Sequence, residues 1–193
     1  MNSKFRIQNS ELGFTMIELM VTVGIFAMMT GLVLANFRSG ERSDAVRVAA
    51  ESLAQDLHRA QGMVLSGQVS TYKDAGDPAT IEQFPQGGYG IAVDTAYPEA
   101  YTLFIMGKSG NPIVSPSTPL PKGVRIQAIG LDGAPAAQLL VTFRPPDAHA
   151  VLQTIANGFA LDAQTVTMTL GYAGTSQTRR VTINRVSGKI SVE

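Results

Sequence analysis

The chain changes texture twice along its length. From Phe14 to Phe37 the only charged residue is Glu18, and from Leu19 to Phe37 the only polar side chains are Thr22, Thr30 and Asn36, with no proline. A hydrocarbon core about 30 Å thick takes roughly 20 apolar residues as a helix. In lipid every backbone N–H and C=O must be bonded within the segment, so this run predicts a membrane-spanning helix. Beyond it, apolar residues recur at Val46, Ala49, Leu53, Leu57, Ala60 and Val64. Spacings of three and four place them on one helical face. Glu41, Asp44, Arg47, Glu51 and Arg59 largely occupy the other positions. The pattern predicts one helix from about Phe14 to Ser66, its first half in membrane and its second half packed on something. Gly40 reads as a bend, and Gly62 and Gly67 as stops. A coiled-coil seam is the competing reading, for which about three heptads is short.

After Gly67, glycine and proline become frequent and the apolar runs shorten. Tyr89 to Val93, Ala100 to Met106, Val124 to Ile129, Leu139 to Phe143, Val166 to Leu170 and Arg180 to Asn184 read as strands, with a last short one from Lys189 to Val192. Val166-Thr167-Met168-Thr169-Leu170 alternates cleanly, apolar to one side and threonine to the other. Gly171 to Gln177 reads as a hairpin loop and Ser187-Gly188 as a tight turn. Lys73 to Gly88 and Asn111 to Pro121 read as loops. In the second, Pro112, Pro116, Pro119 and Pro121 argue against a ladder strand. The fold class is α+β: a long N-terminal helix covering an antiparallel β-sheet domain.

The start of the chain separates two fates. A secretory signal peptide has a short apolar region followed by a small-residue cleavage site. Here the apolar run is longer and the small residue, Gly13, precedes it. A cut at Gly13 removes a polar leader and keeps the span. Lys4 and Arg6 favour a cytoplasmic N-terminus by the positive-inside bias. Glu18 is the costly residue, since an acid at the bilayer centre costs about 2.5–3.5 kcal/mol on insertion scales. A cut after Gly13 also creates an α-amine on Phe14, one helical turn away. That amine on one subunit and Glu18 on its neighbour would neutralise each other where helices pack side by side. The competing reading has Glu18 reaching to the headgroup layer.

Gly13-Phe14-Thr15-Met16-Ile17-Glu18-Leu19-Met20 resembles the processing and assembly motif of type IV prepilins and type II secretion pseudopilins. The resemblance implies cleavage between Gly13 and Phe14 by a membrane prepilin peptidase, N-methylation of Phe14, and an assembly role for Glu18. The boundaries that follow are a leader at 1–13, a transmembrane half-helix at 14–37, an amphipathic half-helix at 38–66 and a β-rich domain at 67–193. Toward the C-terminus, Val141-Thr142-Phe143-Arg144-Pro145, Thr165 to Leu170, Arg179-Arg180-Val181-Thr182-Ile183-Asn184 and Gly188-Lys189-Ile190 resemble the GspH/FimT branch of minor pilins and pseudopilins. That branch implies two β-sheets against the helix. The location it implies is the bacterial inner membrane, single-pass, with the C-terminal domain periplasmic. The partners it implies are the peptidase and other pilins, met through the helix.

Composition narrows the chemistry. At 193 residues there is room for one anchor and one ordinary domain, and the formal net charge is zero. No cysteine means no disulfide and no thiol nucleophile or ligand. Tryptophan is absent too, which weakens an aromatic carbohydrate platform. No serine-nucleophile motif, phosphate loop or paired-acid signature is visible, so neither an enzyme nor a cofactor is expected. His58 reads as a partly solvated helix residue. Asp147 and His149 offer two metal ligands with no third nearby, where catalytic metals usually take three. Asp74 and Asp77 flank a glycine-containing turn with too few oxygens for a calcium loop. From Ala173 to Glu193, Arg179, Arg180, Arg185 and Lys189 face one acid, Glu193. Basic side chains supply most non-specific DNA affinity, and on the FimT side of the branch a Gly-Arg-x-Arg stretch is linked to DNA capture. Here the nearest match is Gly188-Lys189-Ile190-Ser191. Alternation places Arg179 and Arg180 on opposite strand faces. Two functions follow: a structural filament subunit, or a DNA-binding subunit at a pilus tip.

Overall fold

The computed structural model describes residues 15–73, 80–108, 110, 112–153 and 163–193. Among them is one helix, α1 (Met16–Leu65), followed by twelve strands. In chain order these are β1 (Ser70–Tyr72), β2 (Ile81–Gln83), β3 (Gly88–Asp94), β4 (Ala100–Met106), β5 (Pro112–Pro119), β6 (Val124–Leu131), β7 (Ala134–Ala136), β8 (Gln138–Arg144), β9 (His149–Gln153), β10 (Thr165–Tyr172), β11 (Thr178–Asn184) and β12 (Ile190–Val192). The chain divides into two compact units, one up to Glu41 and one from Arg42 to Glu193. The helical assignment runs through Gly40 and Gly62 without interruption.

In the second unit the helix ends at a complete C-terminal cap. Gly67 takes a φ of 63°, its N–H donates to Val64 O, and the Gln68 N–H donates to Met63 O. This is the Schellman arrangement, which glycine enters at no Cβ penalty. Gly67, not Gly62, is therefore the stop.

The strands form two five-stranded antiparallel sheets and one hairpin. The first sheet has the order β5-β4-β3-β8-β9, the second β12-β11-β10-β6-β7, and β1 pairs with β2. The helical stripe foreseen from spacing is the centre of the core: Val46, Ala49, Leu53, Leu57, Ala60 and Val64 are all buried, joined by Ala50 and Ala54. One apolar cluster unites this stripe with Ile91, Val93, Val141 and Phe143 of the first sheet and Ile126, Met168, Leu170, Val181 and Ile183 of the second. Both sheets thus turn an apolar face to the same half-helix. Alanine at four of the stripe's positions lets backbones approach closely. Among the described residues, this cluster draws on nothing before Ala45, so the second unit carries its own core.

Two contacts fix the helix and the first sheet in detail. The Tyr101 hydroxyl on β4 donates to Asp56 Oδ2 on the helix at 2.6 Å. On β3, Gly90 has no Cβ, and the Phe104 ring of β4 lies in the space one would fill. Phe104, Met106 and Leu140 form a small second cluster there, on the face of the first sheet turned away from the main core.

The sequence expectation failed at β5, which reads as a loop because of its prolines. Proline lacks only the N–H, and β5 is an edge strand, so one side of its backbone needs no ladder partner. Its register with β4 also shifts between Thr102 and Phe104. There Ser115 and Pro116 together oppose Leu103, a bulge in which proline is tolerated. The strands β1, β2, β7 and β9 were also not foreseen. β2 falls inside the stretch expected to be loop.

Core truncation tests the central stripe. Leu53→Ala, in the segment from Arg42 onward, is expected to lose about 2–5 kcal/mol of unfolding free energy in urea titration. A second test uses pH. Burial, then the bond to Asp56 and its charge, hold the Tyr101 phenol far above the usual range. The neutral phenol is favoured in the folded state, so its stabilisation is present below the ordinary value of about 10 and declines as pH rises past it. The melting temperature should therefore fall above that pH. Tyr101→Phe should fall less steeply, and an unchanged slope would count against this contact.

Candidate functional site

The site begins with backbone chemistry at the helix start. Thr15 precedes α1, its Oγ1 accepts from the Glu18 N–H at 3.3 Å, and its carbonyl accepts from the Leu19 N–H at 3.1 Å. Thr15 is the N-cap and Glu18 the third helical residue, the spacing of a capping box. An acid in the first turn also faces the positive end of the helix dipole. The sequence signal was present, Thr-x-x-Glu ahead of an apolar run. The sequence expectation for Glu18 was assembly, with the headgroup layer as the competing reading, and the cap was missed.

The helix then presents an apolar surface that none of the described residues covers. Met16 to Leu34, 19 residues, is long and apolar enough to cross a membrane, and none of it is buried. At 1.5 Å per residue it spans about 28 Å, close to a hydrocarbon core. Met16 is 83% exposed, Phe26 71% and Met28 74%. The two threonine hydroxyls in the run are satisfied locally. Thr22 Oγ1 donates to the carbonyls of Glu18 and Leu19, each at 2.9 Å, and Thr30 Oγ1 donates to Phe26 O at 2.7 Å. Back-bonding of this kind removes the cost of a bare hydroxyl in lipid. Gly13 and Phe14, the residues expected at the cut, lie outside the described residues, as do Asp74 and Asp77.

The basic C-terminal residues do not come together on one face. Arg180 lies on the side of β11 opposite Val181 and Ile183, and its backbone pairs with Glu193 through N–H···O bonds of 2.8 and 2.9 Å. Arg179 shares the face of Val181 at the strand's exposed end. Arg185 follows the strand and lines a cleft of about 360 Å³ with His149, Gln164 and Val186. Lys189 sits in the turn before β12. In the second sheet β10 and β11 pair from Thr165↔Asn184 to Gly171↔Thr178, as the hairpin reading foresaw.

The two histidines are apart in role. His58 is exposed on the helix. His149 Nδ1 and Asp147 Oδ1 are 2.8 Å apart, and this bond holds the Asp147 carboxyl below its usual range. The two bond each other across Ala148, which is buried and takes a φ of 51°. Among the described residues no group of three potential metal ligands gathers.

Comparison with known proteins bears on the helix alone. Residues 8–34 match the prokaryotic N-terminal methylation motif, the prepilin signal of type IV pilin-like proteins. No curated protein and no solved structure matches the chain. The motif supports a type IV pilin-like or pseudopilin subunit, and it implies processing by a prepilin peptidase and assembly of the pilin kind. The exposed apolar helix fits the membrane anchor of such a protein.

Proposed function

We propose that this chain is a minor pilin or pseudopilin of the GspH/FimT kind. It is inserted in the bacterial inner membrane with its N-terminus cytoplasmic, is cut after Gly13 and is methylated on Phe14. It then enters a type II secretion pseudopilus or a type IV pilus through α1, where it primes or caps the filament. It works as a structural subunit and not as an enzyme. The observation that carries this reading is the coincidence of the methylation motif at residues 8–34 with an exposed apolar helical segment, Met16–Leu34, whose first turn bears Glu18. Leaving lipid requires that this surface be covered by other helices of the same kind. Glu18 then lies in a low-dielectric environment and needs a cation, which the α-amine of a neighbouring Phe14 supplies. The spread of Arg179, Arg180, Arg185 and Lys189 over two strand faces, a cleft and a turn gives the DNA-binding tip subunit less support.

Substitutions at Glu18 separate pairing from capping. Glu18→Gln keeps a residue suited to the capping box and removes the charge. Glu18→Gln and Glu18→Ala should both insert and be cut, yet enter filaments about tenfold less or worse. Stranding one charge of a buried pair costs about 3–5 kcal/mol. Quantitative immunoblotting of sheared filaments reads this directly. Wild-type incorporation of Glu18→Gln would falsify the pairing and leave the cap as the work of this residue.

A further inference from the structure

The turn between β3 and β4 carries an exposed aromatic ring on a fixed backbone. Tyr97 is 75% exposed. The Asp94 carboxylate accepts from the Ala96 N–H through Oδ1 and from Gln138 Nε2 through Oδ2, each at 2.7 Å. The Tyr97 N–H donates to Asp94 O at 3.1 Å, the Thr95 N–H to Ala137 O at 2.9 Å and the Leu120 N–H to Glu99 O at 2.8 Å. The Pro98 carbonyl accepts from the Ile126 N–H of β6 at 2.8 Å, so the second sheet holds this turn as well. A large ring on a rigid turn has little freedom left to lose when a ligand covers it.

Tyr97 and Pro98 line a cleft of about 470 Å³ together with Glu99, Arg125 and two alanines. That volume lies within the range of small-molecule sites, about 300–1,000 Å³. Arg125 Nη2 meets Glu99 Oε1 at 2.8 Å, and both side chains are more than half exposed. A guanidinium carries five N–H donors and a carboxylate about four acceptor sites, so the pair keeps both kinds of group to offer. Its two charges cancel. Neither the methylation motif nor the helix has any use for this arrangement.

We propose that the cleft binds a neutral saccharide, one pyranose ring of which lies on the Tyr97 ring. The balance of charge decides the class. An ion is attracted by one partner of the Glu99–Arg125 pair and repelled by the other, whereas a hydroxyl both donates and accepts. Neighbouring hydroxyls of one sugar therefore bond the carboxylate and the guanidinium together. The sugar's C–H groups, which carry partial positive charge, meet the negative face of the phenol ring. Tryptophan is absent from the chain, and a tyrosine serves as the stacking platform. The small alanine side chains leave the ring's flank open.

The test is NMR of the full chain with ring-labelled tyrosine, in micelles of a detergent without a sugar head group. The chain has five tyrosines, and the Tyr97 resonance is the one that Tyr97→Leu removes. Cellobiose, lactose and N,N′-diacetylchitobiose are titrated in turn, with glycerol as a hydroxyl-bearing molecule that has no ring. A saturable shift of the Tyr97 resonance is expected with at least one disaccharide, at a dissociation constant on the order of 1 mM, and none with glycerol. Arg125→Gln should weaken binding about tenfold, the loss of one charge-assisted contact. The remaining tyrosine resonances report whether the variant is folded, and Glu99→Gln carries the same expectation if it is not. No saturable shift with any of the disaccharides, an equal shift with glycerol, or unchanged affinity in the folded variants overturns the proposal.

Discussion

The apolar surface of Met16 to Leu34 finds no cover within the described chain, and the remaining features follow from that constraint. A helix of this composition is stable where its backbone bonds are internal and its side chains meet lipid or other apolar helices. The Thr15 cap and the internally bonded hydroxyls of Thr22 and Thr30 meet the first demand. The second demand falls on the surroundings, which on the proposed function are lipid before assembly and neighbouring helices after it. Glu18 is the residue on which these two environments differ most. Under that proposal its position near the helix end keeps it close to water in the membrane, and within a bundle it requires a partner. On the proposed function, a single carboxylate is tolerated at insertion by its place near the helix end and specifies packing at assembly.

The second unit obeys a different rule with the same secondary structure. From Arg42 the helix carries a stripe narrow enough to be enclosed and small enough for two sheets to close on it. Alanines set the distance, while Leu53 and Leu57 fill the space between the sheets. The first sheet also has apolar side chains on its other face. There Phe104 lies over Gly90 and Met106 and Leu140 pack beside it, with Thr142 and Arg144 continuing the same face.

What could be read from the sequence was whatever has a period. The stripe from Val46 to Val64 gave six of the buried positions, because helical spacing sets them on one face, while Ala50 and Ala54 beside them went unread. The alternation in Val166 to Leu170 fixed β10 and, with its loop, β11. Segments without a period were not legible. β5 carries three prolines, and only its place at a sheet edge and a bulge makes them acceptable, a fact of tertiary pairing. The strands β1, β2 and β7 are three residues each, too short to alternate. At the functional end, Gly13, Phe14 and Glu18 were legible as a motif, while the cap from Thr15 went unread.

Filament subunit and secreted protein differ in one covalent detail, the first residue of the mature chain. Intact-mass and N-terminal peptide analysis of the wild-type protein from native membranes reads it in a single measurement. The account predicts a chain that begins at Phe14, with one methyl group on its α-amine and the whole apolar run retained. A chain still beginning at Met1, or one beginning beyond Phe37, would contradict it.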